Sequence, residues 1–307
     1  MTREIVEFFQ AVNKDCPDNI VHIYFSEKLG NKYRTFNPQM SNELQKKILE
    51  LLLPPLLESL KLPIVQYNPV GVLDEKNELI ISTQVDSVEN FKNSLKSDAC
   101  YTDMSLIKMS KISFYCVEIS YNNKNVYLFR QFAKMSRLRK GILGQLVNNT
   151  LTELDNHFFG IDDRTDMVLM DDTLIIINHI SLERVFNYRD KFQEMTNLAI
   201  KRIGVEGKMT NVGQFSEDCL KDVRIMKRFT ELMSKNSLPL FFDNYDRVPQ
   251  IVDALNLNIK FDEEGRMVYE DKSQLYHIVH LFSDSYFKSL IAERVGVIEI
   301  EGKINAD

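Results

Sequence analysis

The sequence predicts an α+β fold in which a small α/β domain over residues 1–103 is followed by a mixed β-hairpin and helix domain over residues 104–307. Three observations predict it. Strand-forming runs separated by turn chemistry fill Ile112–Phe132. Apolar residues recur at helical spacing in Asn42–Leu53 and from Leu220 to Leu232, and no internal repeat or low-complexity tract interrupts the mixture. A chain of 307 residues is long enough for two domains with a sizeable core, and the polar stretch Lys96–Ser105 marks the expected boundary.

In the first domain, Ile20–Phe25 is rich in strand formers and Gly30-Asn31 follows as turn chemistry. Leu44, Ile48, Leu51 and Leu52 give Asn42–Leu53 a helical stripe, which Pro54-Pro55 is expected to stop or bend. Pro63–Tyr67 and Glu78–Thr83 read as strands and Val85–Leu95 as a short helix. In the second domain, Ile112–Ser120 alternates apolar with polar residues, Asn122–Asn125 forms a polar turn, and Val126–Phe132 returns as the second arm of a hairpin. Phe158–Ile161, Thr165–Met170 and Thr173–Ile177 continue the strand content, with Asp171-Asp172 as a second hairpin turn. One helix is expected from Ser181, whose hydroxyl can cap it, to about Ile203. Leu220, Val223, Met226, Phe229 and Leu232 define another, with Lys221, Arg224, Lys227, Arg228 and Lys235 on its polar side. Then come a helix at Val248–Leu255, a hairpin around Glu263-Glu264-Gly265, a helix at Ser273–Phe282, and strands at Tyr286–Leu290 and Val295–Ile300.

Composition excludes several classes. With 44% hydrophobic and 27% charged residues the chain is an ordinary globular one, not a disordered one. Its most apolar run, Leu49–Leu62, is interrupted by Glu50, Pro54, Pro55, Glu58 and Lys61, so no bilayer-spanning segment is expected. The start MTREIVEFFQ has acids where a secretory signal has a basic start and an apolar centre, which predicts a cytoplasmic protein. Cys16, Cys100, Cys116 and Cys219 are scattered with no CxxC, and read as reduced core thiols.

Charge is distributed unevenly. Met104–Thr152 carries eight basic residues, Lys108, Lys111, Lys124, Arg130, Lys134, Arg137, Arg139 and Lys140, against the single acid Glu118, in a chain of net charge −6. Phe132, Met135 and Leu138 are interleaved among the last five, and Gly141 follows. Such clusters neutralise a phosphate backbone and draw affinity from released counterions. The alternative is a solvated face balanced by carboxylates after folding. Lys201, Arg202, Lys208, Arg224, Lys227 and Arg228 extend the candidate DNA-binding surface.

Other chemistries were weighed on their residues. The acids Asp155, Asp162, Asp163, Asp166, Asp171 and Asp172 could hold Mg²⁺ if a hairpin brought two together, but Asp is favoured at turns and strand ends, and that reading is preferred. Glu299, Glu301 and Lys303 form an E-x-K ending of restriction-nuclease type, without the helix that usually follows it. Together with Asp162, Asp163 and Asp166 they support the alternative of a Mg-dependent nuclease. His277, His280 and Asp284 could share a helix face, although buried, hydrogen-bonded histidines are the commoner outcome in YHIVHLF. His22, His157 and His179 suggest no triad, Gly204–Lys208 lacks the spacing of a phosphate loop, and no nucleophile elbow or RNA-stacking motif is present. No catalytic residue, metal or cofactor is expected.

One block carries a likeness. It begins VYLFRQF, passes through the basic region and continues FFGIDDRTDMVLMDDTLIIINHISLERVFNY, ending at Tyr188. A strand ending in Arg, an Ile-Asp element, an Asp-Asp turn, a run of Ile and then L-E-R-V-F resemble the KwaB family, the soluble subunits of Kiwa antiphage systems. The resemblance is strongest over Ser113–Arg202 and rests on hydrophobic patterning, with no catalytic residues to carry over. It implies a cytosolic effector that associates with KwaA, a multi-pass membrane subunit at the inner membrane, and binds DNA to hinder phage replication and late transcription. The expected partners are thus DNA, a KwaA-like membrane subunit and further copies of the chain in a homodimer or higher homo-oligomer. A third reading has the basic segment meeting anionic lipid or an acidic loop of the partner.

Overall fold

The computed structural model describes residues 2–15, 17, 20–30, 32–71, 76–81, 85–96, 100–101, 111–132, 144–147, 150–153, 160–288 and 295–297. Contacts divide the chain into one unit of Met1–Tyr67 with Leu73–Asn187 and a second of Asn68–Val72 with Tyr188–Asp307. The fold class is α+β, as the sequence patterns predict.

The first unit is built on a sheet covered on both faces. Its elements are α1 (Thr2–Asp15), β1 (Val21–Leu29), β2 (Lys32–Phe36), α2 (Asn42–Ser59), β3 (Ile64–Gln66), β4 (Asn77–Ile81), α3 (Asp86–Ser94), β5 (Cys100–Tyr101), β6 (Ile112–Tyr121), β7 (Lys124–Gln131), β8 (Gly144–Val147), β9 (Thr150–Glu153), β10 (Met167–Met170), β11 (Thr173–Ile176) and α4 (His179–Val185). Among the described residues, nine strands form one sheet in the order β3-β4-β11-β10-β7-β6-β1-β2-β5, parallel only at β3–β4 and β2–β5, while β8 and β9 pair as a separate hairpin. Cross-strand register aligns Ile23, Val117, Leu128, Val168 and Ile175 in one row. That row packs with Ile5, Phe8, Phe9 and Val12 of α1 and Ile48, Leu52, Leu53 and Leu56 of α2. The next row, Tyr24, Cys116, Phe129, Met167, Ile176 and Glu78, faces the other way. There Phe129 meets Phe91 of α3 and Phe186 at the end of α4. Alternation in β6 would suit a strand with one wet face. Helices on both sides instead bury even Glu118, which accepts a 2.8 Å hydrogen bond from the Tyr24 hydroxyl.

Two turns follow from sequence. Asn122 and Asn123 take φ of 49° and 59° in the β6–β7 turn, and Asp171 takes φ of 51° between β10 and β11, the left-handed geometry that Asn and Asp tolerate. Three expectations are corrected. Pro54-Pro55 does not end α2, which runs on to Ser59: both prolines face solvent, while Leu52, Leu53 and Leu56 hold the helix to the core from either side. The helix expected over Ser181–Ile203 is two helices, because Asn187 at φ 54° reverses the backbone between them. The chain also does not divide at 103/104, since β1 and β2 share a sheet with β6 and β7.

The second unit contains α5 (Tyr188–Glu206), β12 (Met209–Thr210), α6 (Val212–Lys221), α7 (Val223–Ser234), α8 (Ser237–Asp243), α9 (Val248–Ala254), β13 (Lys260–Phe261), β14 (Met267–Val268), α10 (Leu275–Phe282), β15 (Tyr286–Lys288) and β16 (Val295–Val297). Its core joins Ala199, Ile200 and Ile203 of α5 to Phe215, Phe229 and Phe282. Helix α7 starts at Val223, three residues into the apolar stripe read from Leu220, because the Asp222 carboxylate caps it, accepting from the Arg224 amide at 2.8 Å.

Asn187 is expected to tolerate Gly better than any β-branched residue. Urea unfolding should show Asn187→Val losing about 1–2 kcal/mol, and Asn187→Gly clearly less, since only the former is strained at positive φ.

Candidate nucleic-acid interface

Arg130 stands next to last in β7, and the rest of the basic run follows it in the sequence. Its Nε and Nη2 donate to the two carboxylate oxygens of Asp162 at 2.9 and 2.6 Å, and its Nη1 donates to Asp166 Oδ1 at 2.9 Å. Asp166 also accepts from the Gln131 amide at 2.7 Å and from Asn178 Nδ2 at 3.1 Å. Its backbone is used as well: its N–H donates to Phe129 O, and its carbonyl accepts from the amides of Ile177 and Asn178. One residue thereby ties β7 to the start of β10 and to the turn before α4. With side-chain exposures of 14% for Arg130 and 3% for Asp166 against 46% for Asp162, the inner pair is the structural one and the outer pair closes over it. Burial works against the Asp162 carboxylate, but hydrogen bonds and charge from Arg130 hold its pKa below the usual value. The Asp162 hydrogen bond and both carboxylate charges raise Arg130 in turn.

The next residue after Asn178 starts a second buried cluster. His179 Nδ1 lies 2.5 Å from Glu78 Oε2 on β4, its Nε2 lies 3.1 Å from Glu183 Oε1 one turn along α4, and Tyr67 stacks on the ring at 5.1 Å. Burial pulls the imidazole pKa down, yet the two carboxylates outweigh it and raise it to about 9, so the ring is a cation at neutral pH. Sequence reading had set His179 aside. Glu183 at i+4 was a visible signal for it, whereas Glu78 comes from a distant strand.

The candidate phosphate ligands fall into distinct places. Lys134, Arg137, Arg139 and Lys140 lie outside the described residues. Arg130 has its charge balanced within the fold by Asp162 and Asp166. Lys111 and Lys124 are likewise matched, by Glu27 at 3.4 Å and Glu4 at 2.5 Å. On the second unit the candidates lie along two packed helices. Lys227 Nζ sits 5.6 Å from the Phe192 ring near the start of α5, and Arg202 Nη1 donates to Asn236 Oδ1 at 3.5 Å near its end. Helices α5 and α7 therefore run side by side in one direction, and the stretch of α5 from Phe192 to Arg202 separates the two points by about 15 Å. Arg224, Lys227 and Arg228 group at one end, and Lys201 and Arg202 at the other. Lys208 lies beyond α5, its Nζ 5.1 Å from the Tyr245 ring.

The carboxylates weighed for metal have other neighbours. Asp162 and Asp166 face Arg130, Asp163 is exposed, and Glu299, Glu301 and Lys303 lie outside the described residues. Among the described residues no group of three or more His, Cys, Asp or Glu side chains is arranged to hold a metal. His277 bonds the Tyr286 hydroxyl at 2.8 Å and His280 is buried on α10. Cys116 and Cys219 are packed in the two cores.

Fold and site together define an α+β protein whose central sheet ends in a network of buried ion pairs, with a strongly basic run following in the sequence. The family described as Kiwa protein KwaB-like matches residues 109–292, more than half of the 307-residue chain, and the chain belongs to that family. It is thus a component of Kiwa antiphage defence, part of a complex with other subunits. It matches no curated protein and no solved structure at a significant level. The match spans Arg130, Asp162, Asp166, Asn178 and His179.

Two outcomes are expected. Asp166→Asn should cost about 2–4 kcal/mol in denaturant unfolding, because it removes the inner, buried carboxylate of the Arg130 cation and leaves only Asp162, whereas exposed Asp163→Asn should stay within about 0.5 kcal/mol. His179 titrates near ~6.5 in an unfolded chain and at about 9 when folded. Its raised pKa stabilises the fold fully below ~6.5, and that contribution is lost as pH rises through about 9. The stability gap between the wild-type chain and His179→Gln should therefore shrink over that range, and a constant gap would contradict the ion-paired reading.

Proposed function

We propose that the chain is the DNA-binding effector of its Kiwa system. It grips duplex DNA by its phosphates, largely independently of sequence and without catalysis, as a homo-oligomer beside a KwaA-like membrane subunit, and so hinders phage replication and transcription. The observation that carries this reading is how the charge of the basic stretch is distributed. Each basic residue of the stretch that lies on the described β6–β7 hairpin or just before it has a carboxylate partner: Lys111 with Glu27, Lys124 with Glu4, and Arg130 with Asp162 and Asp166. Beyond Phe132, Lys134, Arg137, Arg139 and Lys140 follow with no acid before Gly144. A run of four cations without local neutralisation suits a polyanion, and phosphate contacts position a protein without reading bases. Arg224, Lys227 and Arg228 on α7 supply a second basic group.

No helix among the described residues is long and apolar enough to cross a membrane, which fits recruitment to the inner membrane through the partner subunit. The test is a DNA titration at several salt concentrations. Charge reversal of Arg137, Arg139 and Lys140 should weaken binding equally for unrelated sequences and flatten the plot of log affinity against log salt by about one unit per lost contact. An unchanged slope would overturn the assignment and move the site to the α7 group. A parallel arm with Mg²⁺ reads nicking, which the proposal expects to be absent.

A further inference from the structure

The end of α5 carries a surface of a different kind from the phosphate-binding groups. Leu198, Lys201, Arg202 and Val205 follow i, i+3, i+4, i+7 spacing and share one face of the helix, opposite the buried stripe of Phe192, Thr196, Ala199 and Ile203. Val205 is 80% exposed and Leu198 48%. Arg202 reaches Asn236, the residue before α8, and Leu240, one turn into that helix, is 60% exposed. Val205 and Leu240 are the two most exposed large apolar side chains among the described residues; Val205 follows Arg202 by three residues on α5, and Leu240 follows Asn236, which Arg202 reaches, by four. Lys208 continues the positive charge past the helix, with Glu206 and Glu194 as the acids nearest along α5.

We propose that this surface rests on an anionic lipid bilayer, with Leu198, Val205 and Leu240 entering the acyl boundary and Lys201 and Arg202 meeting lipid phosphates. The chemistry selects that occupant. A nucleic acid would use the cations, but gains nothing from three aliphatic side chains with no aromatic ring for a base to stack on. A two-fold contact with a second copy would set Lys201 and Arg202 against themselves, which like-charge repulsion opposes. A bilayer surface uses both halves of the pattern, since aliphatic groups leave water while cations gain the leaflet's negative potential. Charge also orients the approach. A chain of net charge −6 is repelled by such a membrane except where its cations gather. The contact is weak and reversible, one signal of the two that lasting attachment requires. It would set which side of the second unit faces the membrane.

The chain contains no tryptophan, which makes the test direct. Val205→Trp in the full chain introduces a single indole, read by fluorescence on mixing with phosphatidylcholine vesicles with or without phosphatidylserine. A blue shift only with phosphatidylserine is expected. Lys201→Glu with Arg202→Glu in that background should lower vesicle affinity by roughly tenfold or more, at unchanged melting temperature. Leu198→Ser with Leu240→Ser, both at exposed positions, should reduce co-sedimentation of the otherwise wild-type chain. No shift with anionic vesicles overturns the proposal. So does a loss of DNA affinity with vesicle affinity intact in the Lys201 and Arg202 variant, which would return the surface to nucleic acid, or self-association lost in the Leu198 and Leu240 variant, which would give it to a second copy. A failure of DNA binding in the Arg137, Arg139 and Lys140 reversal with the vesicle signal intact leaves this proposal standing.

Discussion

The Arg130 guanidinium, held by Asp162 and Asp166, is the interaction on which the rest of the first unit depends. Arg130 stands two residues before the chain leaves the described sheet, and Asp162 stands two residues after Gly160, where it is described again. Their pairing therefore joins two points 32 residues apart in the chain, with β8 and β9 between them in sequence. Closing a loop of that length carries an entropy penalty of several RT, which an exposed pair would scarcely offset. A planar fork on one carboxylate, with a third hydrogen bond to a buried second one, is a stronger clamp. Asp166 extends it through Asn178 to the start of α4, where His179 sits between Glu78 and Glu183. The polar side chains at this end of the sheet thus form a continuous line from β7 to β4.

This line is possible because the sheet has two dry faces. Wherever a charge enters such an interior it needs a counter-charge or several hydrogen bonds. Arg130 and His179 each have two carboxylates, Glu118 has the Tyr24 hydroxyl, and Glu27 has Arg34 and Lys111. These charges are matched within the unit by residues from distant strands and turns, which a count of Lys and Arg along the sequence cannot show.

How much of this was legible depends on the range of each contact. The β6–β7 and β10–β11 hairpins were readable because Asn122-Asn123 and Asp171-Asp172 encode their turns locally. Helix α7 was readable because its stripe has a regular period. The sheet order was not, since β11 pairs with β4 and β1 with β6 across long separations that leave no local trace. For the same reason the boundary at 103/104, drawn from polarity alone, gave way to Asn187, whose left-handed backbone is a one-residue signal inside an otherwise helical pattern. Pro54-Pro55 misled because propensity ignores which face of α2 they occupy. At the site, Arg130 was read as a phosphate ligand because its partners come 32 and 36 residues later, from a stretch that reads equally well as turns.

If the clamp is structural, Arg130 makes none of the phosphate contacts proposed for the basic run. The most direct measurement is the salt dependence of DNA affinity for Arg130→Gln, taken beside its unfolding free energy. The account predicts a loss of about 2–4 kcal/mol in stability, as for other broken buried pairs, with the salt slope of the folded protein unchanged. A slope flattened by about one unit at wild-type stability would show Arg130 on the phosphates, and would contradict it.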